Sequence, residues 1–391
     1  MLAGRFFLHG WQQDLPEPKC DNVRIYLNLL VRGIPLRKIR LLHQAVLLLF
    51  SISLLGPAAE GQVQWPQAKP EAEGIDSAAL ASLFQSLSAD SRKDIKGVVV
   101  LRHGKLVAES YFNGDTADTL HDIRSATKSL TALLMGIAIE RHFVHSVDDP
   151  IALYLPGLPQ DGKQAITIRD LLNMRSGLNA DDTDPSTPGN EDRLDESTDW
   201  IKTVYAVPIR TQPGQKYLYC SINAFLTGAI IENASKMPLD VFAKQALFDP
   251  LGIRQFEWRH VPVGRITGQG NLRITARDEA RLGELVLHNG EFGGHQIVDR
   301  QWIEKSIANQ VPIAADDPYS DFYGYMWYSR AEPVNGHKVQ VHFASGNGGN
   351  KIYVIPSMDM VVAVTSSAYS RGYGQLRSQD ILLKILAAVH P

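Results

Sequence analysis

Ser125 and Lys128 stand three residues apart in the stretch Asp122-Ile123-Arg124-Ser125-Ala126-Thr127-Lys128-Ser129-Leu130. On a helix, positions i and i+3 share one face, one turn apart, so the two side chains can touch. The run that follows, Thr131 to Ile139, is apolar on almost every side, and a helix apolar all round is buried. A lysine in the first turn of such a helix is costly unless something uses or neutralises it. Burial lowers a lysine pKa because the charged form is disfavoured. A neutral amine beside a serine hydroxyl can take its proton and make the oxygen a nucleophile. The helix N-terminus adds N–H groups and partial positive charge that favour an oxyanion at the same place. A plainer reading accounts for the same residues. Ser-x-x-Lys arises by chance roughly once in a chain of ordinary composition and this length, with the serine as N-cap and the lysine reaching water.

The elements that would position this pair read as follows. Residues 97–102 and 105–112 are β-prone runs around His103-Gly104, which is a hairpin pattern. A linker and an amphipathic helix over 70–88, with Asp76 or Ser77 as N-cap, come before it. After the Ser125 helix, which ends near Arg141-His142, the chain is mostly helical. Helices are expected over 167–172, 222–234, 238–247, 275–288 and 299–307. Asp181 to Glu196 is polar and rich in turn formers, so it reads as a surface loop or lid. Strands return at 338–343, 351–355 and 360–365, with the glycine-rich turn Ser345-Gly346-Asn347-Gly348-Gly349 between the first two, and a last helix spans 378–389. Strands, then many helices, then strands imply an α+β fold in three layers. Its antiparallel sheet is built from both chain ends and flanked by helices, with an all-helical lobe inserted over about 145–290.

The 391 residues carry a formal net charge of -3. That length suits one large core or a core with an inserted lobe. The near-neutral balance offers no electrostatic reason for nucleic acid as a partner. There is no Cys/His cluster with zinc spacing, no His-Glu-x-x-His, no Gly-x-x-x-x-Gly-Lys and no Gly-x-Ser-x-Gly. Metalloprotease, nucleoside-triphosphate and nucleophile-elbow readings therefore start weak. Residues 1–61 read as a targeting segment. Arg32, Arg37, Lys38 and Arg40 precede the apolar run Ala45–Leu55, which is too short to span a bilayer, and small residues follow. Cleavage is expected after Ala58 or Gly61, and the real start downstream of Met1. The alternatives are a membrane anchor or a buried helix. Of the two cysteines, Cys20 falls in the segment expected to be removed, so no disulfide is expected in the mature chain.

Several stretches together resemble the penicillin-recognising serine hydrolases, in the branch of class C β-lactamases, family VIII esterases and 6-aminohexanoate-dimer hydrolases. They are Gly104–Glu109, Ser125-Ala126-Thr127-Lys128-Ser129, Thr167–Leu172 with Ser176-Gly177-Leu178, Asp249-Pro250-Leu251-Gly252, Thr275–Asp278 and Ser345–Gly349. The similarity runs from about Trp65 to His390. It implies that Ser125 is acylated and that Lys128 assists. The Tyr-x-Asn motif at the head of the second buried helix is similar to Tyr219-Cys220-Ser221, which retains the tyrosine and replaces the asparagine by Ser221. A tyrosine, with pKa near about 10, can act as general base where a cation such as Lys128 stabilises its phenolate. The bland alternatives are a packed aromatic for Tyr219 and an N-cap for Ser221. The third motif, Lys-Thr-Gly or His-x-Gly, is similar to Ala344-Ser345-Gly346, which lacks the cation and so argues against efficient β-lactam turnover.

The resemblance implies acyl transfer on a small ester or amide, with Ser125, Lys128 and Tyr219 catalytic. The N–H groups of Ser125 and Asn347 would form an oxyanion hole, and Ser221, Ser345 and Gly346 would lie at the substrate. No metal or cofactor is required. The alternatives are a β-lactamase or D-Ala carboxypeptidase-like enzyme and a non-catalytic binding homologue. An exported protein is expected, periplasmic or secreted, without a stable membrane span after processing and anchored if the segment is not cleaved. Residues 181–196 and 323–327 are expected to line the pocket.

Overall fold

The computed structural model describes residues 65–390 apart from position 263, all within the unit Gln62–Pro391. The expected targeting segment and Cys20 lie outside the described residues. Helix α1 (Ser77–Ser88) opens at Asp76, whose carboxylate accepts the N–H groups of Ala78 and Ala79. Strands β1 (Ile95–Arg102) and β2 (Lys105–Tyr111) form the expected hairpin. Its turn residues His103 and Gly104 both have positive φ, 51° and 67°, as a two-residue turn between twisted strands requires. Helix α2 (Ala126–Glu140) follows, then α3 (Ile168–Leu172), closed at its start by a capping box of Thr167 and Asp170, and α4 (Ser221–Ser235). Helix α5 (Ala276–Leu287) precedes strands β3 (Tyr328–Val334), β4 (His337–Gly346), β5 (Asn350–Ile355) and β6 (Met360–Ser366), and α6 (Tyr373–Ala387) ends the order.

The main sheet has the order β2-β1-β6-β5-β4-β3, extended by short strands at Phe322–Tyr323 and Val311–Pro312, and every pairing is antiparallel. β1 lies beside β6, with Val99 opposite Ala363, so the sheet is built from both chain ends as expected. Alternate residues decide its faces. Val99, Leu101, Val361 and Ala363 pack on Ala276 and Ala280 of α5. Helices α1 and α6 pack together, and α6 lies against β3, β5 and β6. Helix α5 is thus part of the sheet layers, and the helical lobe expected over 145–290 stops short of it. Two other boundaries differ from expectation. β3 was not anticipated, because Arg330, Glu332 and Pro333 break its apolar pattern. Its turn residues Asn335 and Gly336, with φ 48° and 81°, were nonetheless an available hairpin signal. α6 begins at Tyr373 rather than 378.

Helix α2 is anchored through its polar side chains. Lys128 Nζ donates to the Gln269 carbonyl (2.9 Å), Ser129 Oγ to that of Met326 (2.5 Å) and Thr131 Oγ1 to that of Gly268 (2.6 Å). Buried polar groups are costly unless bonded, so these three carbonyls fix the rotation and depth of α2. On another side, the Trp302 indole donates to the Ala132 carbonyl (3.0 Å) and fills the space left by Gly136, where a Cβ would sit 2.4 Å from the ring. The end of β4 approaches the start of α2 just as closely. A Cβ on Gly346 would meet the Ile123 carbonyl oxygen at 2.1 Å, so only glycine lets the strand end reach the residue two before Ser125.

Replacing Gly136 by alanine is expected to destabilise the protein by about 1–3 kcal/mol or more through this overlap. A lowered urea midpoint with unchanged slope, read by tryptophan fluorescence, checks it.

Candidate active site

A cavity of about 520 Å³ opens where the start of α2, the end of β4 and the 181–191 loop meet. Ser125, Tyr219, Ser345, Gly346 and Asn347 all line it. Ser125 has helical backbone angles (φ -65°, ψ -10°), and its side chain makes no capping bond. Lys128 is 1 % exposed, and its Nζ donates to Ser125 Oγ at 3.0 Å. The N-cap and water-reaching alternatives therefore both fail. The residue before the serine, Arg124, holds φ at 52°, tied by its N–H to Asp122 Oδ1 (2.8 Å), with its guanidinium 4.2 Å from the Tyr369 ring centroid. The N–H groups of Ala126, Thr127 and Lys128 are bonded to the carbonyls of Ile123, Arg124 and Ser125; the N–H of Ser125 itself is not among them.

Tyr219 places its ring centroid 5.2 Å from Lys128 Nζ. The extended residues before α4 carry it there, held by the Asp182 N–H donating to the Tyr219 carbonyl (3.1 Å). Burial raises the phenol above its ordinary pKa, opposed by Lys128 and Ser125 and reinforced by Asp182 and Glu191. Lys128 corrects the expectation of a neutral amine. Burial is the strongest influence and pushes it down, but Tyr219, Glu191 and Asp182 together outweigh burial and hold the ammonium above its usual range. The Asp182 and Glu191 carboxylates favour the protonated form of both members of the pair, whereas Lys128 and Tyr219 each favour the charged form of the other.

Ser221 does not line the cavity. It is fully buried, and both its N–H (2.7 Å) and its hydroxyl (2.8 Å) donate to Asp182 Oδ2. It is Asp182 that caps α4 and faces the cavity, a residue read from sequence only as part of a polar loop. Burial pushes the Asp182 carboxyl up to about 6, against the pull of Lys128 and with a further push from Glu191. The loop containing it lines the cavity through Asp182, Thr183 and Glu191, as expected of a lid, and carries one short helix, Glu191–Asp195. The 323–327 segment behaves otherwise: Tyr323, Tyr325, Met326 and Trp327 are each 1 % exposed, and the wall comes instead from Asp316–Tyr319 and Tyr328.

The 345–350 turn is tightly held. Asn350 Nδ2 donates to the Asn347 carbonyl (2.9 Å), the Ser370 N–H to Asn347 Oδ1 (2.7 Å), and Gln375 Nε2 to the Gly346 carbonyl (2.8 Å). A cation that sequence reasoning missed, Lys351, also lines the cavity, from β5. Among the described residues, no cluster of His, Cys, Asp and Glu could hold a metal ion, and no helix is long and apolar enough to cross a membrane.

Residues 80–384 match the family model described as Beta-lactamase. A curated relative from Escherichia coli (strain K12), named "Putative D-alanyl-D-alanine carboxypeptidase", is 30% identical over 146 residues, which is 35% of this chain and 33% of that protein. The chain thus spans about a third of the length of that relative. Among solved structures, the "Putative 6-aminohexanoate-dimer hydrolase from Bacillus anthracis" superposes with a TM-score of 0.67 at 19% identity, covering 83% of this chain and 87% of that one. A D-stereospecific amidohydrolase from Streptomyces sp. gives 0.60 at 18% identity, covering 78% and 98%. These structural likenesses concern the fold.

The raised Asp182 pKa has a sign in stability. The folded state keeps the proton that the unfolded chain loses near pH 4, so its stabilising contribution is whole below about pH 4 and is lost as pH rises through about 6. Wild type is expected to lose up to about 3 kcal/mol relative to Asp182→Asn between pH 4 and pH 7. Urea denaturation of both proteins across that range checks it; parallel curves would contradict it.

Proposed function

Because the chain belongs to the β-lactamase family, a family of hydrolases, we propose that it is a serine hydrolase that cleaves a small ester or amide through an acyl-enzyme on Ser125. The observation that carries this reading is the buried Lys128 ammonium 3.0 Å from a serine oxygen that caps nothing and opens onto a cavity. Ser125 Oγ attacks the substrate carbonyl carbon and its proton passes to the Lys128–Tyr219 pair. Lys128 is held charged, so the base is Tyr219 as phenolate, stabilised by the neighbouring ammonium. The N–H groups of Ser125 and Asn347 receive the oxyanion, each worth about 3 kcal/mol of barrier. The tetrahedral intermediate collapses, the leaving group takes the proton from Tyr219, and an acyl-Ser125 ester remains. Water attacks that ester, giving its proton to the same base; as the bond to Ser125 Oγ breaks, Tyr219 passes that proton to Oγ, so the acid product leaves with both the serine hydroxyl and the phenolate restored.

A β-lactamase or D-Ala carboxypeptidase-like activity is the second reading, favoured by the name of the Escherichia coli relative. A binding homologue that lost its chemistry is opposed by the retained contact of Ser125 with Lys128. The reading also takes residues 1–61 as an export segment, to be tested by N-terminal sequencing of the mature protein from its host.

Hydrolysis of p-nitrophenyl acetate and butyrate tests the nucleophile. Ser125→Ala is expected to fall to the rate without enzyme, and Tyr219→Phe to lose about 10²–10⁴-fold in kcat. A stopped reaction should show one acyl mass on the peptide containing Ser125. Turnover unaffected by Ser125→Ala would sink the reading, and nitrocefin turnover would favour the second one. The pH profile follows from the resting protonation. Both members of the pair titrate above their usual values, so kcat/KM is expected to climb steadily from pH 7 towards 10 instead of levelling near neutrality. A plateau reached by pH 7 would contradict the assigned base.

A further inference from the structure

The two N–H groups assigned to the oxyanion stand on different segments, Ser125 at the start of α2 and Asn347 on the turn after β4. Their spacing is therefore a property of how those segments pack. A donor is effective only within roughly 2.7–3.1 Å of the developing oxyanion, and a misplacement of about 1 Å costs about 10²-fold in rate. The contact of Gly346 with Ile123 sets how closely the segments approach. It does not orient the Ser125 N–H, which follows from the backbone of Arg124 at φ 52°. A non-glycine residue stays in that region only where its surroundings over-determine it.

Tyr369, between β6 and α6, supplies those surroundings. Its hydroxyl donates to the Asp122 carbonyl (3.0 Å), and its ring lies 4.2 Å from the Arg124 guanidinium carbon. Asp122 in turn accepts the Arg124 N–H (2.8 Å) and lies 3.4 Å from its Nε. The 122–124 segment is thus gripped at a carbonyl and at a side chain by one residue. His121 Nε2 locates the hydroxyl. It lies 3.1 Å from the Tyr369 oxygen and 3.1 Å from the Ser366 carbonyl, which only accepts, so that nitrogen carries the proton. Burial, then Asp122, push the Tyr369 phenol up to about 12 against the pull of Arg124, so the hydroxyl stays a donor. Tyr369 also meets the other segment. A Cβ on Gly348 would sit 3.0 Å from both Cδ1 and N of Tyr369, so the turn lies flat against it. The next residue, Ser370, gives its N–H to Asn347 Oδ1 (2.7 Å).

We propose that Tyr369 is a positioning residue of the oxyanion hole: its hydroxyl and ring aim the Ser125 N–H through Asp122 and Arg124, while its backbone and Ser370 fix the turn that carries the Asn347 N–H. One residue then sets the spacing of the two donors. Tyr369 is not in the cavity wall, so whatever it does for the reaction passes through those segments. It also lies outside every stretch that carries the family resemblance, because its role is visible only once β6 brings it between the two donors. A tyrosine that merely packed would need its ring and not its hydroxyl, and this difference makes the role measurable. The inference rests on the serine-hydrolase reading.

Tyr369→Phe removes the hydroxyl and keeps the ring against Arg124 and Gly348. Removing an oxyanion donor outright costs about 10²–10³-fold in kcat, and displacing one costs less. With p-nitrophenyl butyrate, kcat of Tyr369→Phe is expected to fall about 5- to 30-fold with KM within about two-fold, because acylation and deacylation use the same hole and slow together. Phenylboronic acid gives a second readout. Ser125 Oγ adds to its boron as the serine proton passes to the base, and the tetrahedral adduct places a boron-bound oxygen where the oxyanion forms. Tyr369→Phe is expected to weaken that inhibition by a similar factor. Tyr369→Leu, checked for folding by circular dichroism, should lose at least as much in both. Unchanged kcat and inhibition in folded Tyr369→Phe, a loss carried by KM alone, or a kcat loss without weaker boronate binding overturns the positioning role. Each of those results leaves the hydrolase reading standing where wild-type turnover depends on Ser125. A wild type that neither turns over esters nor binds phenylboronic acid sinks that reading and this inference with it.

Discussion

A lysine ammonium with 1 % of its surface exposed, one helical turn from a serine hydroxyl, is the constraint on which this molecule depends. A charge so deeply placed must be met on several sides or the fold loses several kcal/mol. The Gln269 carbonyl meets it from the segment before α5, Ser125 from the start of its own helix, and the acidic loop and Tyr219 from the head of α4. Those segments are far apart in the chain, and the lysine adds to the Thr131–Gly268 and Ser221–Asp182 bonds that also hold them together. Their convergence is the cavity, and the lysine that requires them is also the group that donates to the Ser125 hydroxyl.

The same demand explains why the cavity is acidic on one side. Asp182 is held by two bonds from Ser221 and sits where its charge favours the ammonium of Lys128, yet its own burial raises its pKa to about 6. Each charge compensates the other incompletely, and the residual instability is located where the chemistry is proposed. Active sites commonly hold such destabilised arrangements. On the opposite side Lys351 repeats the pattern with the sign reversed, a buried cation whose nearest polar neighbour is a neutral hydroxyl. The close approach of Gly346 to Ile123 and the packing of Trp302 on Gly136 leave the two elements that meet at Ser125 little freedom to shift.

Much of this was legible in the residues. Period-two and period-3.6 patterns, a His-Gly turn and a Thr…Asp capping box locate the β1–β2 hairpin, α2, α3 and β4–β6, because those signals are local. Ser125 and Lys128 could be paired from spacing alone, since helix geometry places i and i+3 together whatever surrounds them. Tyr219 and the 345–347 turn came through resemblance. The strand β3 was hidden by charged residues and a proline, although its Asn335-Gly336 turn was in plain sight.

What the chain alone could not decide concerns residues whose meaning depends on a partner far away in sequence. Asp182 reads as one of many polar loop residues until α4 is folded against it, and Ser221 reads as a site residue until that carboxylate takes both its donors. Lys128 is held above its usual range, against the local expectation, because burial, which the sequence suggests, competes with Tyr219 and with the Glu191 and Asp182 carboxylates that only the fold brings near. Lys351 alternates with apolar neighbours on a strand, and nothing local separates a cation facing a cavity from one facing water. Local geometry is written in spacing; electrostatics and pairing sum over neighbours from the whole chain, so the tertiary structure alone determined them.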